Sequence, residues 1–308
     1  MRKSAKRHSR DTGIAYFSGL QRERAGDRPR DMTDTVLLRI AEALERLSPP
    51  PVPPVDLAVA PAYGWDGQAI APVERFAPVD YALLAGIDAQ KTALLANTRR
   101  HAAGHAAHDV LLWGARGTGK SASVGAVVGQ LQAEGIDIAL VQCAGDSLAT
   151  LPRLFALLGA SSRPFILFVD DLGFDGGESG AGHAGDARTL RSLLQGGAAA
   201  RPANVRLYIT SNRRHIVSRH MSEQDDPINP RDVIDDKMAL SDRFGLSLGF
   251  HAIDQDAYVA IVTGYAGDLG LSFDPLEAIQ WATQRGSRSG RVAWQYVVEL
   301  AGRAGRAL

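Results

Sequence analysis

Eight consecutive residues, Gly114-Ala115-Arg116-Gly117-Thr118-Gly119-Lys120-Ser121, spell G-x-x-x-x-G-K-S. They follow the apolar run Val110-Leu111-Leu112-Trp113 and open a helical pattern, the context in which this spacing binds phosphate. The glycines let successive backbone N–H groups curl around an anion with no Cβ in the way. The helix N-terminus behind them adds partial positive charge. Lys120 is expected to reach the β- and γ-phosphates of a nucleoside triphosphate, and the Ser121 hydroxyl to ligate Mg²⁺.

A second string, Phe165-Ile166-Leu167-Phe168-Val169-Asp170-Asp171, reads as a buried strand with two carboxylates at its C-terminal end. Ligands of open α/β sheets bind at such ends, and paired acids there are costly unless a cation or water holds them. Asp170 is the candidate for Mg²⁺, directly or through water. Asp171 is the candidate for orienting or deprotonating an attacking water; a solvated pair at a strand end is the plain alternative. A third run, Leu207-Tyr208-Ile209-Thr210-Ser211-Asn212, ends in an amide able to hold that water, or is an ordinary strand-to-turn boundary. His101, His105 and His108 could share a helical face as a zinc site. They lack a Cys or carboxylate partner pattern, so solvated loop and helix-end histidines are the simpler reading. Trp281 and Trp294 sit on helical patterns and read as core.

These groups need a frame that brings strand ends together. Strands are expected at Val110–Trp113, Asp137–Gln142, Pro164–Val169, Val205–Thr210 and Leu246–Phe250, alternating with helices near 88–100, 120–134, 148–158 and 187–194. That alternation predicts an α/β fold: a parallel sheet flanked by helices on both faces. From Asp254 the pattern is helical only (254–269, 275–285 and 289–304), a small C-terminal domain. Upstream, Thr33 or Asp34 could cap a helix running to about Leu47, with Val36, Leu37, Ile40, Ala41 and Leu44 on its apolar stripe. Eight of the 15 prolines then fall between Pro49 and Pro78, predicting an extended strap docked by Tyr63, Trp65 and Phe76. The expected organisation is a basic tail at 1–31, a helix at 32–48, a linker at 49–79, a nucleotide-binding domain at 80–251 and a helical lid at 252–308.

Lys+Arg and Asp+Glu both total 34, so net charge points to no nucleic-acid or membrane partner. Residues 1–30 are the exception, with nine basic residues against three acids. Their composition predicts a disordered tail; a start codon placed before Met32 and a nucleic-acid-binding arm are the alternatives. The single cysteine, Cys143, excludes an internal disulfide framework and suits a reducing cytoplasm. No run approaches the roughly 18 apolar residues of a membrane helix.

The order of phosphate loop, acidic strand 50 residues on and polar strand end at Asn212, then Leu240-Ser241-Asp242-Arg243-Phe244-Gly245-Leu246 and a helical lid, resembles the AAA+ ATPases. The resemblance implies a P-loop NTPase fold, ATP and Mg²⁺ as ligands, and a homo-oligomer. Asn212 matches sensor 1. Arg243 matches an arginine finger acting on a neighbour's nucleotide and looks like the corresponding segment of DnaA-type initiators. In Gly286-Ser287-Arg288-Ser289-Gly290-Arg291, Arg291 rather than Arg288 matches the sensor 2 arginine. Leu84-Ala85-Gly86-Ile87-Asp88-Ala89-Gln90-Lys91 resembles the segment that cups adenine, with Gly86 and Ile87 at its centre. Four strings, at 86–91, 112–121, 210–215 and 240–246, are also similar to an uncharacterised bacterial AAA+ family known only as a domain of unknown function.

Two features depart from the hydrolysing pattern. Asp171 stands where most such ATPases carry Glu, and the loop at 173–185 is glycine-rich, with Asp175 and Glu178 as further acids. The resemblance therefore implies ATP hydrolysis driving a conformational change on an unidentified macromolecular partner, with two alternatives. One is an ATP-gated switch with little turnover. The other is a nucleic-acid-linked initiator or helicase loader, although no DNA-binding helix pair follows the lid. A small-molecule kinase leaves Asn212 and the lid arginine unexplained.

Overall fold

The computed structural model describes residues 30–47, 55–172, 190, 194, 201–212 and 243–308. Two compact units divide the chain, Met1–Pro54 and Val55–Leu308. In the first, α1 (Arg30–Leu47) begins before the expected caps, so Thr33 and Asp34 lie inside the helix. The basic tail before Arg30, the loop at 173–185 and the stretches 213–215 and 240–242 of the family-like strings lie outside the described residues. No helix among the described residues is long and apolar enough to cross a membrane.

The second unit runs β1 (Ala62–Trp65), β2 (Ile70–Pro72), α2 (Asp88–Ala102), β3 (Val110–Gly114), α3 (Lys120–Ala133), β4 (Ala139–Cys143), α4 (Leu151–Gly159), β5 (Phe165–Val169), β6 (Val205–Ser211) and β7 (Leu246–Phe250). Three helices follow: α5 (Gln255–Asp268), α6 (Pro275–Gln284) and α7 (Gly290–Arg303). Of the helix expected near 187–194, Leu190 and Leu194 are described, and both are helical.

The seven strands form one sheet in the order β2-β1-β4-β5-β6-β3-β7, parallel except for the β1–β2 pair. Alternation along each strand divides its side chains between two buried layers. Phe165, Leu167 and Val169 face a core shared with Leu154, Phe155 and Leu158 of α4. Ile166 and Phe168 face the opposite core, shared with Leu94 of α2 and Val124, Val127 and Leu131 of α3. A sheet covered on both sides requires such near-continuous apolar strands.

The described part of the proline-rich strap, residues 55–79, is more ordered than its composition predicts. Residues 62–65 and 70–72 form strands, and β1 adds to the sheet beside β4, pairing Tyr63 with Val141 and Trp65 with Cys143. Tyr63 and Trp65 are buried, and Trp65 Nε1 donates to Thr150 Oγ1 at 2.8 Å. Two of the expected aromatic anchors are thus sheet residues of the same chain, and the third, Phe76, packs against the core from outside the strands.

A buried polar knot seats α2. Asn97 Nδ2 donates to Tyr208 Oη at 3.0 Å, and Thr98 Oγ1 lies 2.8 Å from the same oxygen. His101, expected to be solvated, is buried against the Phe165 and Asn204 carbonyls, with Nε2 at 3.1 and 3.2 Å. Burial, reinforced by Arg206, lowers its pKa to about 4.

The terminal helices enclose a core of their own around Tyr258, Val262, Ala278, Ala293, Tyr296 and Val297. Each starts on a side-chain cap: Asp254 Oδ1 accepts from Ala257 N–H, Asp274 Oδ1 from Leu276 N–H and Ser289 Oγ from Val292 N–H. Trp281 joins this core as expected. Trp294 does not; it is 41% exposed.

Candidate active site

The loop between β3 and α3 bends through three glycines with positive φ: Gly114 (136°), Gly117 (76°) and Gly119 (95°). At Gly114 the constraint is also spatial, since a Cβ there would stand 1.9 Å from the Phe250 carbonyl oxygen on β7. Lys120 is buried, and its Nζ donates to the Gly114 and Ala115 carbonyls at 3.0 and 2.7 Å. Burial lowers its pKa, while Asp171 and Asp170 act in the opposite direction. The ammonium is thus tied to the loop's own backbone and lies within electrostatic reach of both carboxylates.

Asp170 follows the last residue of β5. Its Oδ1 accepts from Ser121 Oγ at 2.6 Å and from Thr210 Oγ1 at 2.5 Å. Thr210 sits on β6, between the acid-bearing strand and the loop-bearing strand. Its hydroxyl oxygen also accepts from Asp171 N–H at 2.8 Å. Asp171 is the one non-glycine with positive φ among the described residues, at 53°. Asp tolerates this left-handed geometry better than most residues, and the turn aims its carboxylate at two neighbours. Asn212 Nδ2 donates to Oδ1, and the Arg116 guanidinium lies 3.6 Å from Oδ2. Ser121, Asp170 and Thr210 present a cluster of oxygens suited to a hard divalent cation. Mg²⁺ is usually held by one or two carboxylates plus substrate phosphates. Among the described residues, no group of three or more His, Cys, Asp or Glu could hold a metal by itself.

Of these residues, Arg116, Lys120, Ser121, Asp170, Asp171 and Asn212 line one cavity of about 590 Å³. Its floor is the loop from Arg116 to Ser121 with Asp170, Asp171 and Asn212. One wall is apolar, with Val79, Leu84 and Ile87; Ile87 Cδ1 stands 3.4 Å from where a Cβ on Gly119 would lie. Gly86 (φ 75°) makes the turn before it, and a Cβ there would come within 2.8 Å of Ala257 Cβ. The opposite wall comes from the lid: Ile253, Ile261, Tyr265, Trp294 and Arg291. Tyr265 and Trp294 pack edge to face, with ring centroids 5.3 Å apart. Arg288 is not among the lining residues, whereas Arg291 is. The lid touches the loop directly, Gly290 N–H donating to the Gly117 carbonyl at 3.3 Å.

Other candidates lie elsewhere. Arg243 precedes β7 at the end of the strands away from the loop, where the next turn packs Gly245 against the His108 ring. His101 is in the core while His105 and His108 are exposed, so the three do not converge. Sequence reasoning missed Thr210 as the link between the two acids. It also missed Tyr265, Ile261 and Trp294, whose helical spacing marks apolar character but not which surface meets the loop.

Among solved structures, the chain is similar to the Thermotoga maritima RuvB Holliday junction branch migration motor (16% identity, 75% of this chain and 68% of that chain, TM-score 0.46). It is also similar to the Aeropyrum pernix ORC2 protein in ADPNP–ADP complexes (16%, 76% and 67%, TM-score 0.48). A third is the Aeropyrum pernix ORC1 protein in complex with DNA (16%, 75% and 66%, TM-score 0.49). No curated protein matches the chain. The family model described as "Protein of unknown function (DUF815)" matches residues 58–304, which is most of the chain, and the chain belongs to that family.

Proposed function

We propose that this chain is an AAA+-type ATPase that binds MgATP under its lid, hydrolyses it, and uses the cycle to act on a macromolecular partner. The observation carrying this reading is the convergence, in one cavity, of the phosphate loop, the Ser121–Asp170 pair, the Asn212–Asp171 pair and Arg291 from the lid.

The loop amides and Lys120 would cradle the β- and γ-phosphates, and Ile87 with the lid's apolar side chains would enclose the base. Ser121 and Asp170 would hold Mg²⁺, which when bound neutralises charge on the β- and γ-oxygens. Asn212 and Asp171 would orient the attacking water, and Asp171 would accept its proton. Arg291 would meet the phosphates from the lid side. Arg243, at the far end of the strands, suits a role on a neighbouring copy's nucleotide. Homo-oligomerisation is therefore part of the proposal.

Calorimetry with ATP, with and without Mg²⁺, followed by steady-state hydrolysis, tests this. Lys120→Ala is expected to abolish binding. Arg243→Ala is expected to leave binding intact and to lower turnover by on the order of 10³-fold. A folded wild-type chain that ignores MgATP would remove the reading. One observation favours a slower variant: Asp171 is a methylene shorter than Glu and is held by both Asn212 and Arg116. Single-turnover hydrolysis separates the two, since bound ATP persisting for hours indicates a switch rather than a motor.

A further inference from the structure

The phosphate loop requires backbone amides at position 116, yet the side chain there is an arginine that lines the cavity and pairs with Asp171. It differs from the loop's other cation. Lys120 is buried and bound by two loop carbonyls, whereas the Arg116 side chain is 83% exposed. Its approach to Asp171 Oδ2 is loose, at 3.6 Å, while Oδ1 is taken by Asn212. An exposed pair of this kind contributes little and is readily exchanged. A terminal phosphate delivered to the same cavity offers a planar guanidinium a stronger partner, since phosphate carries more charge and accepts in bidentate geometry.

We propose that the Arg116 guanidinium reads the γ-phosphate, exchanging from Asp171 to that group. Arg116 then discriminates nucleoside triphosphate from diphosphate, and the exchange relieves Asp171 of its counter-ion as triphosphate binds. This inference rests on nucleotide occupying the cavity, and it adds a side-chain role at a loop position whose expected contribution is its backbone amide.

The test is calorimetric titration of the full chain with MgADP and with Mg²⁺ and a non-hydrolysable ATP analogue, for wild type, Arg116→Ala and Arg116→Lys. Arg116→Ala is expected to weaken the analogue about 10-fold, the scale of one lost charge-assisted hydrogen bond, while ADP affinity stays within about twofold on that scale. Retained ADP binding shows that the variant is folded. Arg116→Lys, which keeps the charge and loses the planar fork, should fall between the two. Equal losses for both nucleotides, or no change in either, would overturn the assignment of Arg116 alone. Failure of the wild type to bind either nucleotide would instead remove the reading on which it rests.

Discussion

Thr210 Oγ1 donates to Asp170 Oδ1 at 2.5 Å and accepts from Asp171 N–H at 2.8 Å, so one hydroxyl sets the spacing of two acids with different proposed tasks. Thr210→Val keeps the shape and removes that bridge, leaving a part-buried N–H and a carboxylate oxygen each short of a partner. Hydrolysis is expected to fall by at least about 10-fold, the cost of one misplaced hydrogen bond in the transition state, with nucleotide affinity retained; steady-state kinetics beside calorimetry check the split. Gly114→Ala is a harsher change. Its Cβ would meet backbone at 1.9 Å in a φ that L-residues rarely adopt, so loss of folded protein, read by thermal melting, is expected.

At the scale of elements, the joint between loop and lid carries most interest. Gly117 has φ 76°, its carbonyl accepts from Gly290 N–H, and a Cβ on it would stand 2.6 Å from Ser289 Cβ, the cap of α7. The helix bearing Arg291 and Trp294 therefore starts on the loop itself. Gly117→Ala should push that helix away and weaken nucleotide binding several-fold, with the sheet core unaffected; affinity measured beside far-ultraviolet dichroism checks this. Trp294, 41% exposed on the cavity wall, should report lid position by its fluorescence when nucleotide is added. Trp294→Phe should remove that signal, leaving the three other tryptophans.

For the whole molecule, the sheet separates two groups of candidate residues. The loop, both acids and Asn212 lie at the C-terminal ends of the parallel strands, and Arg243 lies before β7 at the other. If Arg243 serves a neighbour, hydrolysis per chain should rise with protein concentration, and Arg243→Ala should flatten that rise. Stability has its own pH dependence. Buried His101 keeps a pKa of about 4 against an ordinary value of 6.5, so the unfolded chain takes up the proton first. Its contribution is complete above pH 6.5 and is lost as pH falls from 6.5 towards 4. The urea midpoint should decline across that window, and His101→Gln should reduce the slope.

The phosphate loop, the five parallel strands from β3 to β7 and the lid helices were legible from residue order, because glycine spacing and apolar periodicity are local signals. Asp170, Asp171 and Asn212 were legible for the same reason, each standing just past the C-terminal end of a buried strand. What depended on partners distant in the chain was not. Strands β1 and β2 hide among prolines because their order comes from pairing with β4 and with each other, and Pro72 is tolerated at the end of an edge strand. His101 and Trp294 exchanged their expected surroundings, one entering the core between α2 and β5 and the other facing the cavity. Helical spacing shows that a side chain is apolar or polar; only the packing of one element on another decides which surface it meets.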